Sequence, residues 1–118
     1  MFCTGLVNIM LRKLELEVPK NLHWDGGTQA YGIKFEQKMV PFSMSDVRRG
    51  DAVFRPYLDT SDQGHIAIAL GGESDPVLQS FAWNVDATIP SVNVNYTLKE
   101  SHSDGYYKFI IKGEDLWI

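Results

Sequence analysis

Three side chains of this sequence belong to the types that together hydrolyse amide bonds: Cys3, His65 and Gln79. A thiolate can attack a carbonyl carbon, an imidazole can take and return the proton, and a polar group can orient the imidazole. Cys3 is the only cysteine, so the chain has neither an internal disulfide nor a CxxC pair. The chemistry therefore depends on whether the elements that carry these three residues bring them together.

The segment that follows Cys3 predicts an amphipathic helix over residues 4–17, which Pro19 ends. Its apolar face comprises Leu6, Val7, Met10, Leu11 and Leu14. Thr4 is a candidate N-cap, which places Cys3 at or just before the helix N-terminus. Backbone N–H groups and the helix dipole favour a thiolate there. The alternative is a small apolar side chain that only packs.

His65 is the first residue of a nearly continuous apolar strand over residues 65–70, which predicts burial on both faces. A hairpin-type loop over 71–76 then leads into a third strand over 77–83. Gln79 and Asn84 are the candidates to orient the imidazole, because the two strands would pair antiparallel. The alternatives are a surface histidine at the end of a turn and a glutamine that faces solvent.

The remaining elements complete an α+β domain that spans residues 1–118: an N-terminal helix packed on an antiparallel meander. The other predicted strands cover 52–57 and 106–111, and a short helix is expected near 28–35. The polar segments 45–51 and 59–64 are expected to be a tight connection and a turn. The spacing of Thr97 and Glu100 predicts a capping box and a helical turn.

Composition excludes several classes of function. The chain has 118 residues, 44% hydrophobic and 22% charged, with a net charge of −4. An acidic chain without a basic cluster is a poor candidate for binding nucleic acid through its phosphates. The apolar runs are too short for membrane insertion, and no secretory signal begins the chain, so synthesis in a cytoplasm is expected.

Two loop residues, Trp24 and Asp25, are candidates for substrate binding, since aromatic and carboxylate groups on loops often bind ligands. The alternative is a turn in which Trp24 packs into the core. His102 and Asp104 are expected in a solvated turn. The three histidines, His23, His65 and His102, lack the spacing of metal ligands, so no metal or other cofactor is expected.

Three segments resemble, in order, motifs of the NlpC/P60 and CHAP cysteine peptidases of the papain-like superfamily, and a fourth lies in a corresponding position. FCTGLV at 2–7 resembles the nucleophile segment, and VRRGDAVF at 47–54 resembles the "PGD" strand. GHIAIALG at 64–71 resembles the histidine strand, and VLQS at 77–80 lies where the third polar residue is found. The resemblance extends from residue 3 to about residue 84. The 24–31 loop and the aromatic C-terminal strand further resemble peptidase modules of phage endolysins, particularly those of phages that infect actinobacteria.

The resemblance implies a fold and a set of roles. It implies a papain-like α+β fold in which Cys3 is the nucleophile, His65 the base and Gln79 the orienting residue, with Asp51 structural. The implied reaction is cleavage of an amide in peptidoglycan, as endopeptidase or N-acetylmuramoyl-L-alanine amidase. A monomeric lysin of this kind would accumulate in the host cytoplasm and reach the cell wall after the membrane is permeabilised.

The chain departs from this family before the cysteine. Family members usually carry a few tens of residues there and an Asp directly before the cysteine, whereas this sequence has Met1 and Phe2. A truncated start, an internal start codon and a reduced relative would each explain the difference. The competing expectation is an inactive wall-binding or virion structural module on the same fold. A further alternative is a papain-like acyl-transfer enzyme that acts on protein amides.

Overall fold

The computed structural model describes residues 3–22, 25–80 and 92–118. The helices in these ranges are α1 (Cys3–Lys13), α2 (Thr28–Lys34), α3 (Leu98–Ser101) and α4 (Gly113–Leu116). The strands are β1 (Val40–Pro41), β2 (Ala52–Arg55), β3 (His65–Ala69), β4 (Val77–Ser80), β5 (Val92–Asn93) and β6 (Phe109–Ile111). A 3-10 turn covers Met44–Asp46.

The six strands form one antiparallel sheet in the order β1-β6-β2-β3-β4-β5. The expected meander runs from β2 to β5, because each of these strands pairs with the next along the chain. The last strand, β6, instead returns to the free edge of β2 and places β1 outermost. The prediction of an α+β domain with an antiparallel sheet is confirmed.

The sheet buries two apolar faces. One face packs against α1, where Val7 and Leu11 meet Phe54 and Ile66 in a buried cluster. The other face belongs to a second buried cluster, which includes Val53, Ala67, Ala69, Val77 and Tyr107. All five residues of β3 are buried, as its nearly continuous apolar sequence predicted.

Helix α1 ends four residues earlier than the expected boundary at residue 17. Glu15 adopts a left-handed φ of 61°, and its N–H donates to the Arg12 carbonyl oxygen at 3.0 Å. The Leu16 N–H donates to the Leu11 carbonyl oxygen at 2.9 Å, which completes a Schellman ending. Leu14 is consequently 55% exposed rather than part of the apolar face. Thr4 lies inside the first turn and is not the N-cap, because the helix includes Cys3.

The capping box is confirmed: the Thr97 Oγ1 accepts from the Glu100 N–H, and the Glu100 carboxylate accepts from the Thr97 N–H. The last strand begins at Phe109 rather than at residue 106, so Tyr106 and Tyr107 precede it. For the predicted 77–83 strand, residues 81–83 lie outside the described residues. Over the described ranges, no helix combines the length and the apolar character that crossing a membrane requires.

Candidate functional site

The imidazole of His65 is hydrogen-bonded to the side chain of Gln79. Its Nε2 lies 2.8 Å from the Gln79 Oε1, and the two residues are only 8% and 2% exposed. The pairing of Ile68 with Leu78 and of Ala69 with Val77 sets this contact. Continuing that register places His65 and Gln79 on the same face of the sheet, one pleat apart.

This hydrogen bond defines the chemistry of the ring. An amide oxygen can only accept, so the Nε2 carries the hydrogen and the Nδ1 carries the lone pair. The Nδ1 accepts no hydrogen bond from residues 3–22, 25–80 or 92–118. Gln79 therefore orients the ring so that the Nδ1 is the basic atom.

Burial favours the neutral form of this imidazole. Desolvation lowers the pKa of His65 below its ordinary value, and the hydrogen bond to Gln79 opposes this shift in part. A neutral ring is the form that accepts a proton, as a general base must.

The turn that leads into β3 is fixed by Gly64. Its φ is +76°, and a Cβ there would collide with the backbone carbonyl oxygen of Arg55, the residue that pairs with His65. The Arg55 guanidinium also binds the Asp62 carboxylate, with an Nη2–Oδ2 distance of 2.8 Å. The backbone before His65 is thus held at close range to β2.

Three aromatic rings surround His65. His102 meets its ring edge-on at a centroid distance of 5.0 Å, and Tyr106 and Tyr107 lie at 6.4 and 6.3 Å. The expectation of a solvated turn at His102 is wrong in this respect, since the ring is only partly exposed and stacks on Tyr106 at 3.7 Å. Sequence reasoning missed this neighbour of His65. The one available signal was the capping box at Thr97, which fixes the helix that ends just before His102.

Cys3 is the first residue of α1 and lies next to the end of β4. Its backbone carbonyl oxygen accepts a hydrogen bond from the Ser80 Oγ at 3.2 Å, and Ser80 directly follows Gln79. The backbone of Cys3 is therefore attached to the strand that carries Gln79.

The structure does not join the thiol to the imidazole by a hydrogen bond. Within the described ranges, the Cys3 Sγ has its hydrogen-bond contact with the Thr28 Oγ1, at 3.7 Å. Cys3 packs with the cluster on the α1 face, whereas His65 lies on the opposite face with Tyr107. Because β3 and β4 are antiparallel, His65 at the start of β3 and Ser80 at the end of β4 lie at the same end of this strand pair.

The proposed loop residues are not linked to this site. Asp25 is exposed, and its carboxylate accepts from the Asn21 N–H at 2.9 Å, so its observed role is to close a turn. No contact among the described residues joins Asp25 to His65. Trp24, His23 and Asn84 lie outside the described residues.

Asp51 has the structural role that the resemblance implies. Its carboxylate accepts from the N–H groups of Arg48 and Gly113 at 2.9 and 2.8 Å and pairs with the Lys112 ammonium at 2.6 Å. These contacts tie the turn before β2 to the start of α4.

Comparisons with known proteins returned no matching family model, no matching curated protein and no matching solved structure. In the part of the chain that the structure describes, no three His, Cys, Asp or Glu side chains are grouped to hold a metal ion.

Proposed function

We propose that this chain is a cysteine peptidase or amidase of the NlpC/P60 or CHAP type, with a papain-like fold, that cleaves an amide in bacterial peptidoglycan. The observation that carries the proposal is the buried hydrogen bond between the His65 Nε2 and the Gln79 Oε1. It holds the imidazole at the start of β3, and the Cys3 backbone lies against the neighbouring end of β4 through the Ser80 hydrogen bond.

The reaction has two steps. The Cys3 Sγ attacks the carbonyl carbon and forms an S–C bond, while its proton passes to the His65 Nδ1. The C–N bond then breaks, and the proton passes from the Nδ1 to the leaving amine. A water molecule, deprotonated by the same nitrogen, hydrolyses the thioester, and the product carboxylate and the thiol are released. Backbone N–H groups in the first turn of α1 are suited to stabilise the oxyanion.

The substrate assignment rests on the set of Cys3, His65 and Gln79 and on the three motifs in family order, and the endolysin role rests on the narrower resemblance. Under this proposal the protein acts as a monomer. It is stored in the host cytoplasm and reaches the wall after another factor opens the membrane.

Purified walls from a panel of bacteria, actinobacteria included, test the proposal. Wild type should reduce the turbidity of a suspension of at least one of these walls. It should release fragments with a new amino group and a new carboxyl group, and mass analysis should assign them to cleavage of one amide. Cys3→Ala and His65→Ala should abolish release, whereas Gln63→Ala, a change at an exposed position two residues before His65, should not. Full activity of Cys3→Ala, or no cleavage of any wall by wild type, would overturn the proposal.

A second candidate is a non-catalytic wall-binding or virion structural module on the same fold. It is favoured by the contact of the Cys3 Sγ with the Thr28 Oγ1 instead of with His65. A pull-down on the same walls separates the two candidates. Equal binding by wild type and Cys3→Ser without any released fragment supports the module, whereas fragment release by wild type alone supports the enzyme.

A further inference from the structure

A second imidazole lies against the proposed base. The His102 ring meets the His65 ring edge-on, at 5.0 Å between centroids and 68° between planes. Its own faces are fixed by parallel stacking on Tyr106 at 3.7 Å and 11° and by edge contact with Tyr107 at 5.5 Å. These three ring contacts hold the His102 imidazole in one orientation against His65.

We propose that His102 is a positioning residue that covers the His65 ring, fixes its plane and keeps it a neutral base. The role of His102 in catalysis rests on the proposed function, whereas the contact between the two rings is independent of it.

Burial and the neighbouring charges keep the His102 ring uncharged where it packs on His65. Burial, the charge of His65 and the charge of Arg55 together lower the pKa of His102 to about 4. The ring is therefore uncharged near neutral pH and acts on His65 by excluding water rather than by repulsion. Two imidazoles at this distance disfavour simultaneous protonation, because their positive charges repel each other.

The other polar groups that contact the pair lie on β2, on β4 and in the segment before β6, and within residues 3–22, 25–80 and 92–118 none of these contacts is an unpaired carboxylate. Arg55 on β2 lies over the Tyr106 ring, with its Cζ 4.8 Å from the centroid, and its charge is paired with Asp62. The phenol groups of Tyr106 and Tyr107 precede β6, and burial raises the pKa of both. Gln79 on β4 is neutral and accepts from His65.

Substitution of His102, followed by NMR titration of the His65 imidazole in the full chain, tests this inference. His102→Ala should raise the His65 pKa toward its ordinary value of 6.5, because water reaches the ring. His102→Phe keeps an aromatic cover and should restore the wild-type titration. Asp104→Ala, at an exposed position in the same turn, is the control and should change nothing.

Wall cleavage gives a second readout. The ratio of the cleavage rate at about pH 5 to the rate at about pH 7.5 should be about threefold or more lower in His102→Ala than in wild type, because a larger fraction of His65 is protonated at pH 5. In His102→Phe this ratio should equal that of wild type. If His102→Ala does not fold, Tyr106→Leu removes the ring that supports His102 and should shift the His65 titration in the same direction.

Identical His65 titration in wild type and in His102→Ala, or in Tyr106→Leu where that variant is needed, would overturn the inference. Failure of His102→Phe to restore the titration would do so as well. The titration needs no substrate, so the two proposals fail separately. A shifted titration without wall cleavage refutes the hydrolase alone, and wall cleavage with an unshifted titration refutes the role of His102 alone.

Discussion

Replacing Gln79 by Leu removes the acceptor for the His65 Nε2 while it conserves side-chain volume. The hydrogen bond is 2.8 Å long and buried at both ends, so the variant leaves an N–H donor without a partner or water. An unsatisfied buried donor costs about 1–3 kcal/mol, and we expect a loss of that size in the free energy of unfolding.

Urea unfolding, followed by tryptophan fluorescence, measures this loss as a lower midpoint at an unchanged slope. Gln63→Leu is the matched control, because Gln63 is exposed in the turn before β3 and should change stability by less than about 0.5 kcal/mol. Gln79→Glu keeps an acceptor and adds a negative charge, so it should raise the His65 pKa. Equal midpoints for Gln79→Leu and Gln63→Leu would refute the reasoning that this hydrogen bond holds the imidazole.

Three further predictions concern stability in urea. Gly64→Ala should cost about 1–3 kcal/mol, because its left-handed φ and the close Arg55 carbonyl oxygen exclude a Cβ, whereas Gly72→Ala should be tolerated to within about 1 kcal/mol. Asp51→Ala should cost about 2–4 kcal/mol, because it leaves two N–H groups and an ammonium without their acceptor, and a change below about 0.5 kcal/mol would contradict this. Between pH 6.5 and about 4 the unfolded chain binds a proton that folded His102 does not. The free energy of unfolding should therefore decrease as the pH is lowered from 6.5 to about 4. The difference corresponds to roughly 3 kcal/mol in full and, after solvent screening of a partly exposed ring, to about 1–2 kcal/mol, which His102→Phe should remove.

The strands that carry the site could be predicted from the sequence, since their patterns are local. The apolar run after His65 and the loop before Val77 imply an antiparallel pair, and alternation then places His65 and Gln79 on one face. The capping box at Thr97 was equally local. The two-residue strands and the last short helix were missed because elements so short carry no measurable periodicity.

The remaining features depend on contacts between distant segments. The early end of α1 follows from a left-handed Glu15, a conformation that a non-glycine residue rarely adopts and that the helical pattern conceals. The covering of His65 by His102 joins residues 37 positions apart through packing alone. The place of the Cys3 thiol depends on how α1 lies on the sheet, and its contact with Thr28 could not be read from spacing.

The central claim is that Cys3 and His65 act as one unit. The alkylation rate of Cys3 by iodoacetamide near pH 7 tests it without any substrate, with the urea-denatured chain as the reference for an ordinary thiol. The account predicts that folded wild type reacts at least about tenfold faster than folded His65→Ala. Equal rates in the two folded proteins, both at or below the denatured reference, would contradict it.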